Sequence, residues 1–201
     1  MVASRSIAMI DPPFRRATPA DADALAELVQ YASEGLALYL WTRMAGTDRE
    51  PWSIGRARVL SETGGLSYQN AVIADLAGRP ASGLISYPLG DSTEPISDEL
   101  PAILVPLQEL MNLAPNTWYV HVLAAYPEHR GKGHGSALLS IADKFAAADG
   151  KPGLSLIVSD TNAGARKLYE HCGYREAARS KMVKERWQHP GTNWVLLRKD
   201  L

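Results

Sequence analysis

Apolar residues recur along this chain in two periods. Leu25, Leu28, Val29 and Ala32 fall at three-four spacing, which predicts an amphipathic helix. Thr18 is suited to cap it, Pro19 to open its first turn and Asp21 to sit at its positive end. Gly35 breaks or bends that helix, and the apolar and aromatic stretch Leu36 to Met44 follows. After a Gly46-Thr47-Asp48 turn, Pro51 opens a second helix with Ile54, Ala57, Val59 and Leu60 apolar, ending at Gly64-Gly65. Runs rich in β-branched, aromatic and alternating apolar residues predict strands at 14–17, 68–74 and 80–87, with Gly78-Arg79 near the turn between the last two. Further strands are expected at 118–125, 154–158, 174–181 and 192–197. Leu138, Ile141, Ala142 and Phe145 mark a helix after the 118–125 strand. Asp160-Thr161-Asn162 begins a last helix with Ala165, Leu168, Tyr169 and Cys172 on one face and Gly173 at its end.

Residues 90–116 depart from a plain strand-to-strand link. Ser97 or Asp98 is placed to cap a helix whose Leu100, Ile103, Leu104, Leu107, Leu110 and Met111 form a continuous stripe. Pro101 lies in its first turn, and Pro106 should kink or divide it. The segment carries Asp91, Glu94, Asp98, Glu99 and Glu109 and no lysine or arginine. Those acids either solubilise an amphipathic helix or draw cationic ligands to an acceptor pocket under the segment.

The 201 residues suit one domain with a full-sized core, expected over 14–201 behind a loose N-terminal arm of residues 1–13. A formal charge of −1 argues against a general nucleic-acid binder, although the C-terminal part is basic. The single cysteine, Cys172, excludes an internal disulfide and is compatible with a reducing cytosol. The first ten residues lack a signal-peptide core, and no run is long enough to span a membrane. A cytoplasmic protein is therefore expected, with a homodimer left open. The histidines show no metal-ligand spacing, so no metal is expected.

The candidate chemistry lies in Tyr126-Pro127-Glu128-His129-Arg130-Gly131-Lys132-Gly133-His134-Gly135-Ser136, between a strand and a helix. Such a loop aims backbone N–H groups and the positive end of a helix at one point, which makes an anion site, most naturally for a phosphate. Glycines let the backbone come close, and Arg130 and Lys132 add positive charge. The glycine spacing fits neither the dinucleotide fingerprint nor the Walker A loop. A tight turn opening a glycine-rich helix is the alternative reading.

The order Arg-x-x-Gly-x-Gly after a strand ending in Tyr-Pro resembles the pyrophosphate loop of the GCN5-related N-acetyltransferases (GNAT superfamily). Asn162-Ala163-Gly164-Ala165-Arg166-Lys167-Leu168-Tyr169-Glu170-His171-Cys172-Gly173-Tyr174 is similar to a second pattern of that family, and Phe14 to Asp21 looks like its opening strand and helix start. The resemblance implies an α/β fold: a mixed, twisted central sheet with helices on both faces and splayed central parallel strands, here 118–125 and 154–159. The 90–116 segment lies outside it, as an insertion.

The resemblance also implies acetyl-CoA as co-substrate. Its cofactor-binding set would include the strand end Leu123, Ala124 and Ala125, with backbone groups of Leu123 and Ala125 on the acetyl carbonyl and the pantetheine. Backbone N–H groups of Arg130, Gly131, Lys132, Gly133, His134, Gly135 and Ser136 would hold the pyrophosphate. Asn162, which would contact the pantetheine arm, Ala165 and Tyr169 complete the set. Tyr169 would act as general acid toward the thiolate; its spacing on the helix also permits a core tyrosine. His121, on the opposite face of its strand from Val120 and Val122, would be the base, as in the arylalkylamine members, or else a hydrogen-bonded histidine lining the sheet. Tyr39, Trp41 and Trp52 lie where relatives form the acceptor wall, or pack the core. The activity so implied is acetyl transfer to a primary amine of a small molecule. The alternatives are a peptide or protein amine as acceptor and a non-catalytic acyl-CoA sensor.

Overall fold

The computed structural model describes residues 10–201. The chain runs through β1 (Phe14–Arg16), α1 (Ala22–Ala32), α2 (Leu36–Ala45), α3 (Pro51–Leu60), β2 (Ala71–Leu76) and β3 (Arg79–Pro88). It continues through α4 (Val105–Asn112), β4 (Trp118–Ala125), α5 (His134–Ala148), β5 (Gly153–Ser159), α6 (Ala163–His171), β6 (Arg175–Lys181) and β7 (Asn193–Asp200). The strands follow the order β1-β2-β3-β4-β5-β7-β6, an open α/β sheet. Of the expected arm, residues 1–9 lie outside the described residues. Pro13 is tied to the sheet, because its carbonyl accepts from the Asp75 N–H at 2.7 Å. No helix among the described residues is long and apolar enough to cross a membrane.

The chain falls into two compact units. One comprises residues 10–87 with Val120–Ile141. Here β1 pairs antiparallel with β2 and β2 with β3, in a register that sets Ile73 opposite Gly83. The β2–β3 turn has both central residues at positive φ, Ala77 at 54° and Gly78 at 81°. That is the primed geometry matching strand twist, and the Asp75 carboxylate pins it by accepting from the Gly78 N–H at 2.7 Å. Leu25 and Val29 of α1, Trp41 of α2 and Val59 of α3 pack with Ile73, Ile85 and Val122 into one core. Trp41 lies so close to α3 that a Cβ on Gly55 would stand 2.6 Å from its ring, so this helix contact depends on glycine.

Two expectations shift in this unit. Residues 68–70 form a 3-10 turn instead of the start of a strand, because the Ser67 hydroxyl accepts from the Gln69 N–H at 3.2 Å. Helix α3 ends at Leu60, short of Gly64, and Leu60 itself is exposed. At the start of the first helical turn Thr18 is the N-cap, as expected, and the Asp21 carboxylate accepts from both its N–H and its hydroxyl, completing a capping box. Arg15 holds that carboxylate from the other side with two bonds of 2.9 Å.

The other unit comprises Pro88–Tyr119 and Ala142–Leu201 among the described residues. Strands β5 and β6 both pair antiparallel with β7. The inserted segment belongs here, and α4 lies on β5, β6 and β7, with Leu110 and Ile103 fully buried. No helix starts at Ser97. Residues 102–104 form a 3-10 turn, and α4 begins at Val105 with Pro106 in its first turn. Pro106 thus divides the predicted helix by starting the regular part, where its missing N–H costs nothing.

Candidate active site

Strand β4 alternates as expected at its centre: Val120 and Val122 are buried, and His121 is exposed. Leu123, Ala124 and Ala125 are half-buried at the strand's end. A 3-10 turn over Pro127–His129 leads into the glycine loop. Gly131 and Gly133 adopt φ values of 71° and 84°, the left-handed region open to glycine. Apart from the adjoining residues, no atom among the described residues lies within 4 Å of where a Cβ would stand on either glycine, so a ligand can approach this backbone closely. Helix α5 follows for 15 residues. The Gly133 carbonyl accepts from the Ala137 N–H at 3.1 Å, making Gly133 its cap. The N–H groups of His134, Gly135 and Ser136 therefore belong to the first turn, whose donors a helix does not satisfy by itself. Arg130 and Lys132 flank them, both exposed. Exposed first-turn N–H groups between two cationic side chains have the chemistry an anion cradle needs.

Side chains outside the motif hold the loop in place. The Tyr126 hydroxyl donates to Glu27 of α1 at 2.6 Å. Tyr31 meets the Tyr126 ring edge-on at 5.8 Å, and the Arg130 guanidinium lies 5.6 Å over the Tyr31 ring. Arg130 also donates from Nε to the Ala125 carbonyl at 3.2 Å. Burial, with Glu27 beside it, pushes the Tyr126 phenol well above its ordinary range. His129 and His134 stack at 6.3 Å, with Phe14 edge-on to His134 at 6.4 Å. Desolvation first, then the charges of His129 and Lys132, lowers the His134 pKa. Glu27 and Tyr31 sit on α1, far away in sequence, and only the aromatic character of Tyr31 could have flagged either.

His121 is exposed to solvent, yet protein atoms surround its ring. Desolvation there, aided by the nearby charge of Arg58, pushes its pKa down to about 4. Its Nδ1 lies 3.3 Å from the Tyr87 hydroxyl, and the two rings meet edge-on at 5.8 Å. The sequence reading gave Tyr87 no role. Trp41 is core, 2% exposed, with the half-buried Trp52 edge-on to it at 5.6 Å; Tyr39 is half-buried under Arg43.

The remaining expected site residues lie in the other unit. Asn162 caps α6, its side-chain oxygen accepting from the Ala165 N–H at 3.1 Å. Tyr169 is the buried residue of that helix, and its ring packs 5.8 Å from Tyr174. Tyr174 is fully buried, and burial raises its phenol far above the ordinary range. Gly173, at φ 92°, turns the chain from α6 into β6. The fold thus groups His121, Leu123–Ala125 and Arg130–Ser136 in one unit, and Asn162, Ala165 and Tyr169 in the other. Among the described residues, no three His, Cys, Asp or Glu side chains are grouped to hold a metal ion.

Comparison with known proteins bears on the family and the fold. A model described as the acetyltransferase (GNAT) family matches residues 41–174, well over half of the chain. A solved acetyltransferase is similar over 93% of this chain and 98% of its own, with 23% identity and a TM-score of 0.64. An N-acetyltransferase from Staphylococcus aureus Mu50 is similar over 95% and 100%, with 19% identity and a TM-score of 0.61. The NatC complex, solved with Gag peptide and CoA, is similar over 94% and 97%, with 14% identity and a TM-score of 0.56. At these identities the structures share the fold.

Proposed function

The chain belongs to the GNAT acetyltransferase family, and from that premise we propose that it transfers the acetyl group of acetyl-CoA to a primary amine of a small molecule. The observation that carries the reading is the cradle at Gly131 and Gly133. Left-handed glycines with open space on their Cβ side, directly before a 15-residue helix, suit a pyrophosphate. Arg130 and Lys132 supply counter-charge to the phosphates. Backbone groups of Leu123 and Ala125 hold the acetyl carbonyl and the pantetheine, with the N–H near Leu123 facing the developing oxyanion. Asn162 and Ala165 contribute to the same binding.

The acceptor nitrogen attacks the thioester carbonyl, so an N–C bond forms and the C–S bond breaks. His121, directly or through a water, takes the proton lost by nitrogen, and Tyr169 gives one to the departing sulfur. With its pKa near 4, His121 is neutral at ordinary pH and ready to accept. The same low value makes it a weak base, suited to a nitrogen whose acidity has risen through attack.

A panel of small amines and peptide N-termini, mixed with acetyl-CoA and read by free thiol release, tests the reading. Small-amine turnover supports it. Turnover confined to peptides moves the acceptor class to peptides. Acetyl-CoA binding without thiol release on any amine makes the protein a sensor.

A further inference from the structure

We infer that Tyr87 is a positioning residue for His121, holding the imidazole in the tautomer that carries its proton on Nδ1. The inference rests on the proposed role of His121 as base. Tyr87 lies near the end of β3, with its hydroxyl 3.3 Å from Nδ1 and the ring planes inclined at 74°. A phenol and an imidazole nitrogen at that distance bond in one of two senses. If the phenol donates, the ring proton sits on Nε2, and the lone pair on Nδ1 is already occupied by the phenol, so none is free for an incoming proton. If Nδ1–H donates to the phenol oxygen, Nε2 keeps its lone pair and the ring can act as a base. Catalysis through His121 therefore needs the second sense.

Two features make this pairing decisive. Crowding keeps the imidazole neutral, so its tautomer, and not its charge, decides whether it can accept a proton. The phenol is also backed by main chain. A Cβ on Gly65 would stand 2.6 Å from the Tyr87 hydroxyl and from the adjoining ring carbons. Glycine at 65 thus lets the tyrosine lie against the chain, with its oxygen set in front of Nδ1.

In the proposed step the proton leaving the acceptor nitrogen goes to Nε2, while Nδ1–H stays bonded to the Tyr87 oxygen. The imidazolium returns its extra proton to water after product leaves, and Tyr87 ends unchanged.

Two-bond proton–nitrogen correlation spectra of ¹⁵N-histidine-labelled protein test this, with His121→Gln assigning the resonance. Wild type should show His121 as the Nδ1–H tautomer. In Tyr87→Phe, which keeps the ring and removes the hydroxyl, the population should swing toward Nε2–H, and turnover should fall with the KM for acetyl-CoA unchanged. Gly65→Ala, which displaces the phenol, should reproduce the swing. An Nε2–H tautomer in wild type, or an unchanged tautomer in Tyr87→Phe, overturns the inference. Full turnover in His121→Gln would instead remove the base reading and leave the tautomer result to stand by itself.

Discussion

The Lys151 ammonium donates to the side-chain oxygen of Asn116 at 2.9 Å and, from the same nitrogen, to the Leu89 carbonyl at 3.0 Å. Leu89 immediately precedes the inserted segment and Asn116 ends it. They are further joined by a bond from the Leu89 N–H to the Thr117 carbonyl at 2.8 Å and one from the Asn116 N–H to the Gly90 carbonyl at 2.7 Å. An insertion whose ends meet in this way adds little closure entropy beyond its length. Within it, Asn112 of α4 binds both the N–H and the carbonyl of Glu94, tying the loop to the helix.

Lys151→Met keeps the apolar stem and removes these bonds. Hydrogen bonds from a charged group in a mostly buried site are worth about 1.5–3 kcal/mol, so the variant should lose stability of that order. Denaturant unfolding measures the loss, and hydrogen exchange at Leu89 and Asn116 should locate it at the base of the insertion. Wild-type stability would show that the backbone bonds alone close the loop.

Gly133→Asp should abolish acetyl-CoA binding. The residue sits at φ 84°, so any side chain adds backbone strain of about 1–2 kcal/mol. The space beyond is open, so nothing in the protein itself is displaced and the variant should fold. A carboxylate in the cradle repels pyrophosphate and blocks its approach. Unchanged acetyl-CoA affinity by calorimetry in folded protein would move the phosphate site elsewhere.

Much of this cradle could be read directly from sequence. Strand, glycines and helix are contiguous, and local rules decide them. The alternation that put His121 opposite Val120 and Val122 held for the same reason. Tyr87 and Glu27 were not legible, because their partners lie 34 and 99 positions away and no periodicity encodes such pairs. Residues 68–70 and the segment before Pro106 were misread because turn chemistry overrode apolar pattern. Ser67 bonds the following backbone, and a proline donates nothing to a helix but opens one well.

Loss of the neutral imidazole should appear in the pH–rate profile near pH 4, well below the ordinary histidine range. The folded pKa is lowered, so the base form persists as pH falls and disappears only through about 4. Any limb of kcat/KM at neutral or higher pH then belongs to the acceptor ammonium. In His121→Gln the limb near 4 should vanish and the upper limb stay in place. A limb centred near 6.5 that vanishes in His121→Gln would mean that water relieves the desolvation in the working enzyme.

Tyr169→Phe should separate binding from chemistry. Tyr169 is 7% exposed and packs against Tyr174, and phenylalanine preserves that packing. The fold and the acetyl-CoA affinity should therefore survive. Turnover should fall about 10²-fold if the phenol protonates the leaving sulfur. Wild-type turnover with a good acceptor would leave Tyr169 as a core tyrosine.

The acids of the inserted segment should favour a cationic acceptor. Asp91 lies 3.7 Å from Lys151, and the Glu109 carboxylate accepts from the Ser180 hydroxyl at 3.4 Å. Glu94, Asp98 and Glu99 remain exposed on a segment without a lysine or arginine. They precede α4, which packs on β5, β6 and β7, and act through their field. Such a field reaches about 8–10 Å at ordinary ionic strength, so it acts mainly on approach and is weakened by salt. Glu94→Gln and Asp98→Asn, combined, should lower kcat/KM for an amine bearing a second positive charge and leave a neutral-tailed amine of similar size unaffected. The difference should shrink as salt is added to wild type. Equal effects on both amines would assign these acids to the solubility of an amphipathic insertion.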